Sequence, residues 1–174
     1  MSLPAQPLHV VPVVSVLYGD ASELNKSLVK LKNMLGNPVL VSESFPFDMT
    51  DYYEPEMGRN LVRTWFCFPL RDPSELPDWK LACISIEETA GGEGSRRANL
   101  DPGYLDHGKL VLASCKEAPD KIYLRDGVWA HTCLRYRSGS FYGPDHSFAD
   151  FIDGRFNSFF IEVKRLYRKL LREQ

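Results

Sequence analysis

The switch of hydrophobic period near the start of the chain constrains its fold more than any other feature. Val13 to Tyr18 is a short β-branched run ending in Gly19-Asp20, after which Leu24, Leu28, Leu31 and Leu35 recur at helical spacing. A strand followed directly by a helix is therefore predicted. Asp20 with Glu23 three positions later makes a capping box, and Gly36 with Pro38 just beyond it supplies the stop.

The alternation continues. Pro38 to Glu43 is extended and apolar, and Leu61 to Phe68 puts Val62, Thr64, Phe66 and Phe68 on one face of a strand. Beyond Pro77 the stripe Trp79, Ala82, Cys83, Ile86 and Ala90 predicts a helix, although periodicity also permits a strand over Lys80 to Ile86. Ser95 to Leu100 alternates as a strand, and Leu110 to Ala113 is apolar but too short to assign. Asp126-Gly127 is a hairpin turn, which sets Leu124 opposite Trp129 and Ile122 opposite His131, these four sharing a face with Cys133. A last helix from about Arg155 carries Phe156, Phe159, Phe160, Val163, Tyr167 and Leu170 on one side. The order βαββαβ, with the hairpin and final helix appended, predicts an α+β fold, a ferredoxin-like sandwich; a doubly wound α/β sheet is the alternative.

Composition closes several other routes. At 174 residues, 44% hydrophobic and 25% charged, the chain suits one soluble domain over residues 1–174, with no disulfide framework. The apolar run Val10 to Leu17 is too short to span a bilayer, and Met1 to Pro7 has no basic residue to open a secretory signal, so no membrane association and a cytoplasmic location are expected. Cys67, Cys83, Cys115 and Cys133 form no Cys-x-x-Cys pair, and His9, His107, His131 and His146 have no His-x-x-x-His spacing, so no metal site is expected. A net charge of -2 argues against nucleic acid as a partner.

Two segments hold more chemistry than a connection needs. Phe45 to Gly58 packs four carboxylates and four aromatic rings into a proline-bounded loop, with Asp48, Asp51 and Tyr52 as candidate ligand contacts. Arg96 to Tyr104 offers a second set: Arg96, Arg97, Asn99, Asp101 and Tyr104. On one strand face Arg97, Asn99 and Asp101 would present a polar row suited to a phosphorylated or carboxylate-bearing molecule. Asp101-Pro102 alternatively reads as a helix start. If the segments meet, Asp48, Asp51, Arg96, Arg97 and Asp101 would surround one polar cavity. His131 and Cys133 are read as packed side chains, because no orienting group or oxyanion hole accompanies them.

The phrases Phe45-Pro46-Phe47-Asp48, Thr50-Asp51-Tyr52-Tyr53, Glu56-Met57-Gly58, Asn99 to Tyr104, Lys109 to Ala113 and Leu134-Arg135-Tyr136 resemble those of Domain of Unknown Function 4416, an uncharacterised prokaryotic family. Some members carry the label "GTP-binding protein", but the resemblance implies no established activity. The chain has no Gly-x-x-x-x-Gly-Lys-Ser/Thr loop: the glycine cluster at 91–94 runs into Ser95-Arg96-Arg97. Asn25-Lys26 is followed by Leu28 where a guanine-reading motif needs aspartate. Two functions are therefore expected as alternatives: a small-molecule domain or enzyme taking an anionic or phosphorylated ligand, and a non-enzymatic module that binds a protein partner. The cofactor, the reaction and the substrate are not legible.

Overall fold

A computed structural model describes residues 3–90, 96–144 and 147–173; the glycine cluster at 91–94, Ser95 and His146 lie outside the described residues. The elements run β1 (Val11–Tyr18), α1 (Ala21–Leu35), β2 (Leu40–Val41), β3 (Phe45–Pro46), α2 (Glu54–Met57), β4 (Val62–Cys67), α3 (Leu76–Ala90), β5 (Ala98–Leu105), β6 (Lys109–Ser114), β7 (Ile122–Arg125), β8 (Val128–Arg137), β9 (Ser140–Tyr142), α4 (Ala149–Ile152) and α5 (Asn157–Arg172). The strands form one sheet in the order β2-β4-β1-β5-β6-β8-β7, with β3 also on β4 and β9 also on β8. Every pairing is antiparallel, which overturns the doubly wound alternative.

Helices cover both faces of the sheet. On one side Leu31 and Leu35 of α1 and Leu76, Trp79, Cys83 and Ile86 of α3 pack on Val14, Val16, Phe66, Leu100 and Val111. On the other, Phe159, Phe160, Val163 and Tyr167 of α5 and Phe151 of α4 pack on Val11, Val13, Trp65, Leu110, Leu112 and Leu134. All eight residues of β1 are consequently buried. A strand covered on both faces needs no polar alternation, which is why its sequence is almost wholly apolar.

The expected ends of α1 are present. Asp20 Oδ1 accepts from Ser22 N–H at 2.6 Å, and Gly36, at φ 90°, donates its N–H to Lys32 O. The reciprocal arm of the capping box is replaced by an ion pair: the Glu23 carboxylate lies 2.8 Å from Lys26 Nζ. Lys80 to Ile86 is helix, inside α3, with Pro77 in the first turn where a missing N–H costs nothing.

Asp101-Pro102 does not start a helix, because β5 runs straight through it. The N–H of Leu100 points away from β1, to Glu87, so Pro102 two residues on has its missing donor on that same side. There the β6 ladder begins only at Gly103. A Cβ on Gly103 would lie 2.2 Å from Val111 O, so only glycine lets β6 approach.

The β7–β8 hairpin turns at Asp126 (φ 54°) and Gly127 (φ 74°), as read from the sequence. Its register differs from the expected one. A bulge between Tyr123 and Arg125 puts Tyr123 opposite Trp129 and Ile122 opposite Ala130, so Ile122 is not the partner of His131.

Candidate functional site

Part of the loop from Phe45 to Gly58 does meet the arginine segment. The short helix α2 brings Glu56 to Arg96, whose Nε donates to Oε2 at 3.0 Å and whose backbone N–H donates to Oε1 at 3.2 Å. The Arg96 guanidinium also lies 5.3 Å from the Tyr53 ring centre and donates through Nη1 to Asn99 Oδ1 at 2.7 Å. Asn99 Nδ2 in turn donates to Asp101 Oδ2 at 2.8 Å. Burial pushes the Tyr53 phenol up to about 12, so it stays protonated.

The chain of contacts continues into α3 for a structural reason. The stretch of β5 ahead of Gly103 has no strand on its outer side among the described residues, and two α3 side chains seven residues apart satisfy Leu100 there. Glu87 Oε1 accepts the Leu100 N–H at 2.5 Å, and Lys80 Nζ donates to Leu100 O at 3.3 Å. Lys80 Nζ also stands 3.6 Å from Asp101 Oδ1, and Arg96 Nη1 stands 3.9 Å from Glu87 Oε2. Burial alone would lower the Lys80 ammonium, but Asp101 and Glu87 outweigh it and hold it above its usual range. Burial lifts the Glu87 carboxyl to about 7, against the opposing pull of the Leu100 N–H and Lys80.

Of the other sequence candidates, Tyr52 alone touches this network among the described residues, through the Tyr53 ring. Asp48 pairs with Arg155, Nη1 to Oδ1 at 3.2 Å, and Arg155 also donates to Pro46 O at 2.7 Å. Asp51 is exposed and caps the turn into α2 through its carbonyl. Tyr52 packs edge-on against Tyr53, with Lys116 Nζ 5.7 Å from its ring. Arg97 is exposed ahead of β5 rather than in a polar row with Asn99 and Asp101. Among the described residues no hydrogen bond or ion pair joins Asp48, Asp51 or Arg97 to Arg96 or Asp101. His131 Nε2 is 3.1 Å from Cys133 Sγ, and burial pushes that thiol up to about 12, far from a reactive thiolate.

A broad concavity lies elsewhere. A groove of about 1100 Å³ runs over β6, β8, β7 and β9, lined by Tyr104, Val111, Ile122, Leu124, Ala130 and Thr132, with Lys109, Arg135 and Arg137 at its charged end and Asp120 among its walls. Tyr104 alone of the sequence candidates contributes to it. Lys109 and Arg135 stand directly opposite each other across β6 and β8, and Arg137 follows two residues on. Lys109 is bonded to Asp106, whereas Arg135 and Arg137 have no carboxylate partner among the described residues. Lys109 is far in sequence from Arg135 and Arg137, and only the β6–β8 register joins it to them; the Arg-x-Arg of Arg135 and Arg137 was the one local sign.

Among the described residues no group of three or more His, Cys, Asp or Glu side chains could hold a metal ion, and no helix is long and apolar enough to cross a membrane. An antiparallel sheet with helices on both faces and an open cationic groove at one end defines a mixed α+β protein. The chain belongs to the family described as a domain of unknown function (DUF4416), whose model matches residues 9–167. No curated protein and no solved structure matches it.

Proposed function

We propose that this chain is a cytoplasmic, single-domain binder of a small anionic ligand, and that the ligand's seat is the groove over β6, β8 and β7. The observation that carries this reading is the placement of Lys109 opposite Arg135, with Arg137 beside them, at one end of an apolar groove. Like charges directly opposite in an antiparallel pair oppose folding, and an anion between them would relieve that repulsion. The walls of Tyr104, Val111 and Ile122 fit an apolar or planar body attached to the anionic group. The Arg96 network is read as the strut that fastens the loop to β5 and α3.

We also read the first half of the fold as ferredoxin-like. Support comes from two split βαβ units: β4 lies between β1 and β2, and β1 lies between β4 and β5. The reading is one of architecture and assigns no activity.

A thermal-shift screen of sugar phosphates, nucleotides and organic acids tests the proposal, because a ligand of the native state raises its melting temperature by mass action. Arg135→Ala with Arg137→Ala should abolish the response of any hit while leaving the unliganded melting temperature nearly unchanged. Hits that bind this double variant equally well would refute the groove as their seat. A protein-binding role has one specific observation in its favour: edge strand β7 is exposed along its length, with Ile122 72% and Tyr123 57% accessible. Loss of a captured partner on Ile122→Lys, with no anion bound by the parent, would favour that role instead.

A further inference from the structure

Three side chains on the α5 side of the sheet are buried without the hydrogen bonds their chemistry requires. Arg63 is 1% exposed, Trp65 is fully buried and Ser15 is 1% exposed. Arg63 Nε, Nη1 and Nη2, Trp65 Nε1 and Ser15 Oγ have no hydrogen-bond partner among the described residues. Buried donors are rarely left so, and a cluster of them marks a place where an acceptor belongs.

The sheet register makes them neighbours. Ser15 on β1 lies opposite Trp65 on β4, and Leu17 lies opposite Arg63. Arg63 and Trp65, two apart on one strand, share a face, and both flank Phe151: the guanidinium carbon is 4.9 Å from its ring centre and the indole 5.0 Å. Phe47 and Phe148 stand 4.8 and 5.6 Å from the same guanidinium. Asp150 Oδ2 is 3.1 Å from Arg63 Nε, which balances charge, yet it leaves the guanidinium without an aligned acceptor.

We propose that Arg63, Trp65 and Ser15 form a closed seat for one small oxyanion, a carboxylate or phosphate group. A guanidinium fork with rings over it and donors beside it offers planar, directional contacts that such an oxyanion satisfies and an apolar group does not. The seat lies on the opposite face of the sheet from the cationic groove and stands independently of it. Its cover is the loop bearing Phe47 together with α4, so the anion enters when these part. Asp150 can take up a proton as the anion arrives and keep the seat neutral, since burial already holds its carboxyl above the usual range against the pull of Arg63.

The test is a titration of the full chain with inorganic phosphate and, separately, with acetate, read from the indole N–H resonance of Trp65, which Trp65→Phe identifies among the three tryptophans. Saturable movement of that resonance is expected, with the more effective anion naming the chemistry of the natural group. Arg63→Lys, which keeps the charge and loses the fork, should weaken binding about tenfold or more. Ser15→Ala should weaken it several-fold in a chain that keeps its charge pair. If neither anion moves the Trp65 resonance, or if Ser15→Ala and any folded Arg63→Lys chain bind as the parent does, the seat does not exist. Arg135→Ala should leave this titration unchanged, which separates it from binding in the groove.

Discussion

Glu87 is a carboxyl whose ionisation the fold opposes. Burial raises its carboxyl from 4.5 to about 7, so between those values the native chain holds a proton that the unfolded chain has lost. The stability from this group is therefore complete below about pH 4.5 and is lost as pH rises through about 7. Glu87→Gln keeps an acceptor for the Leu100 N–H and removes the titration. Urea unfolding should find the variant more stable than the parent at pH 8, by about 3 kcal/mol, with the difference vanishing near pH 4.5. A difference that does not change with pH would contradict the assignment. Gly103 poses a steric question instead. Gly103→Ala forces a methyl against Val111 O and should cost about 3 kcal/mol, whereas Gly108→Ala, with nothing within 4 Å, should cost little. Equal melting temperatures for the two variants would show that β6 can give way. The sequence displayed the Asn99 to Tyr104 phrase clearly, but its local cues allowed either a strand face or a helix start at Asp101-Pro102. The steric need for Gly103 arises only when the next strand, β6, folds back to pair with β5.

At the scale of elements, α5 has the clearest dependence on one neighbour. Phe159, Phe160, Val163 and Tyr167 face the sheet, Phe156 precedes them in the core, and Tyr167 Oη donates to His9 O at 3.1 Å. Removing residues 155–174 would expose Trp65, Leu110 and Leu134 together. Chemical denaturation of the truncated chain should show no cooperative transition, and a transition like the parent's would mean that the first core suffices alone. This helix was legible because its apolar stripe has period 3.6 and length. The short helix α4 was not, since four residues make too little pattern to read, and its Asp150 acquires meaning only beside Arg63. The β7–β8 turn was legible from Asp126-Gly127, but the bulge at Leu124 was not. A bulge shifts register without changing the turn, and the residues that favour it are those of any strand.

Across the whole molecule, β1 is the most protected strand. It pairs with β4 on one side and β5 on the other, and helices cover both of its faces. Native-state hydrogen exchange should therefore be slowest in β1 and the paired residues of β4, and fastest in exposed β7; rapid exchange throughout β1 would contradict this layering. The sequence by itself determined that strands and helices alternate, where α1 begins and ends, that α5 is helical, and that Asp126-Gly127 turns a hairpin. Each of these follows from the period or backbone preference of residues near one another. Only the tertiary structure decided which charges meet. Arg96 found Glu56 rather than Asp48 or Asp51, because a single turn of helix aims Glu56 at β5 while Arg155, arriving from the far end of the chain, takes Asp48. Lys109 likewise meets Arg135 and Arg137 through strand register alone. Side-chain period records which way a residue faces within its element, but the distance between charges on different elements depends on how those elements pack, and no local pattern encodes it.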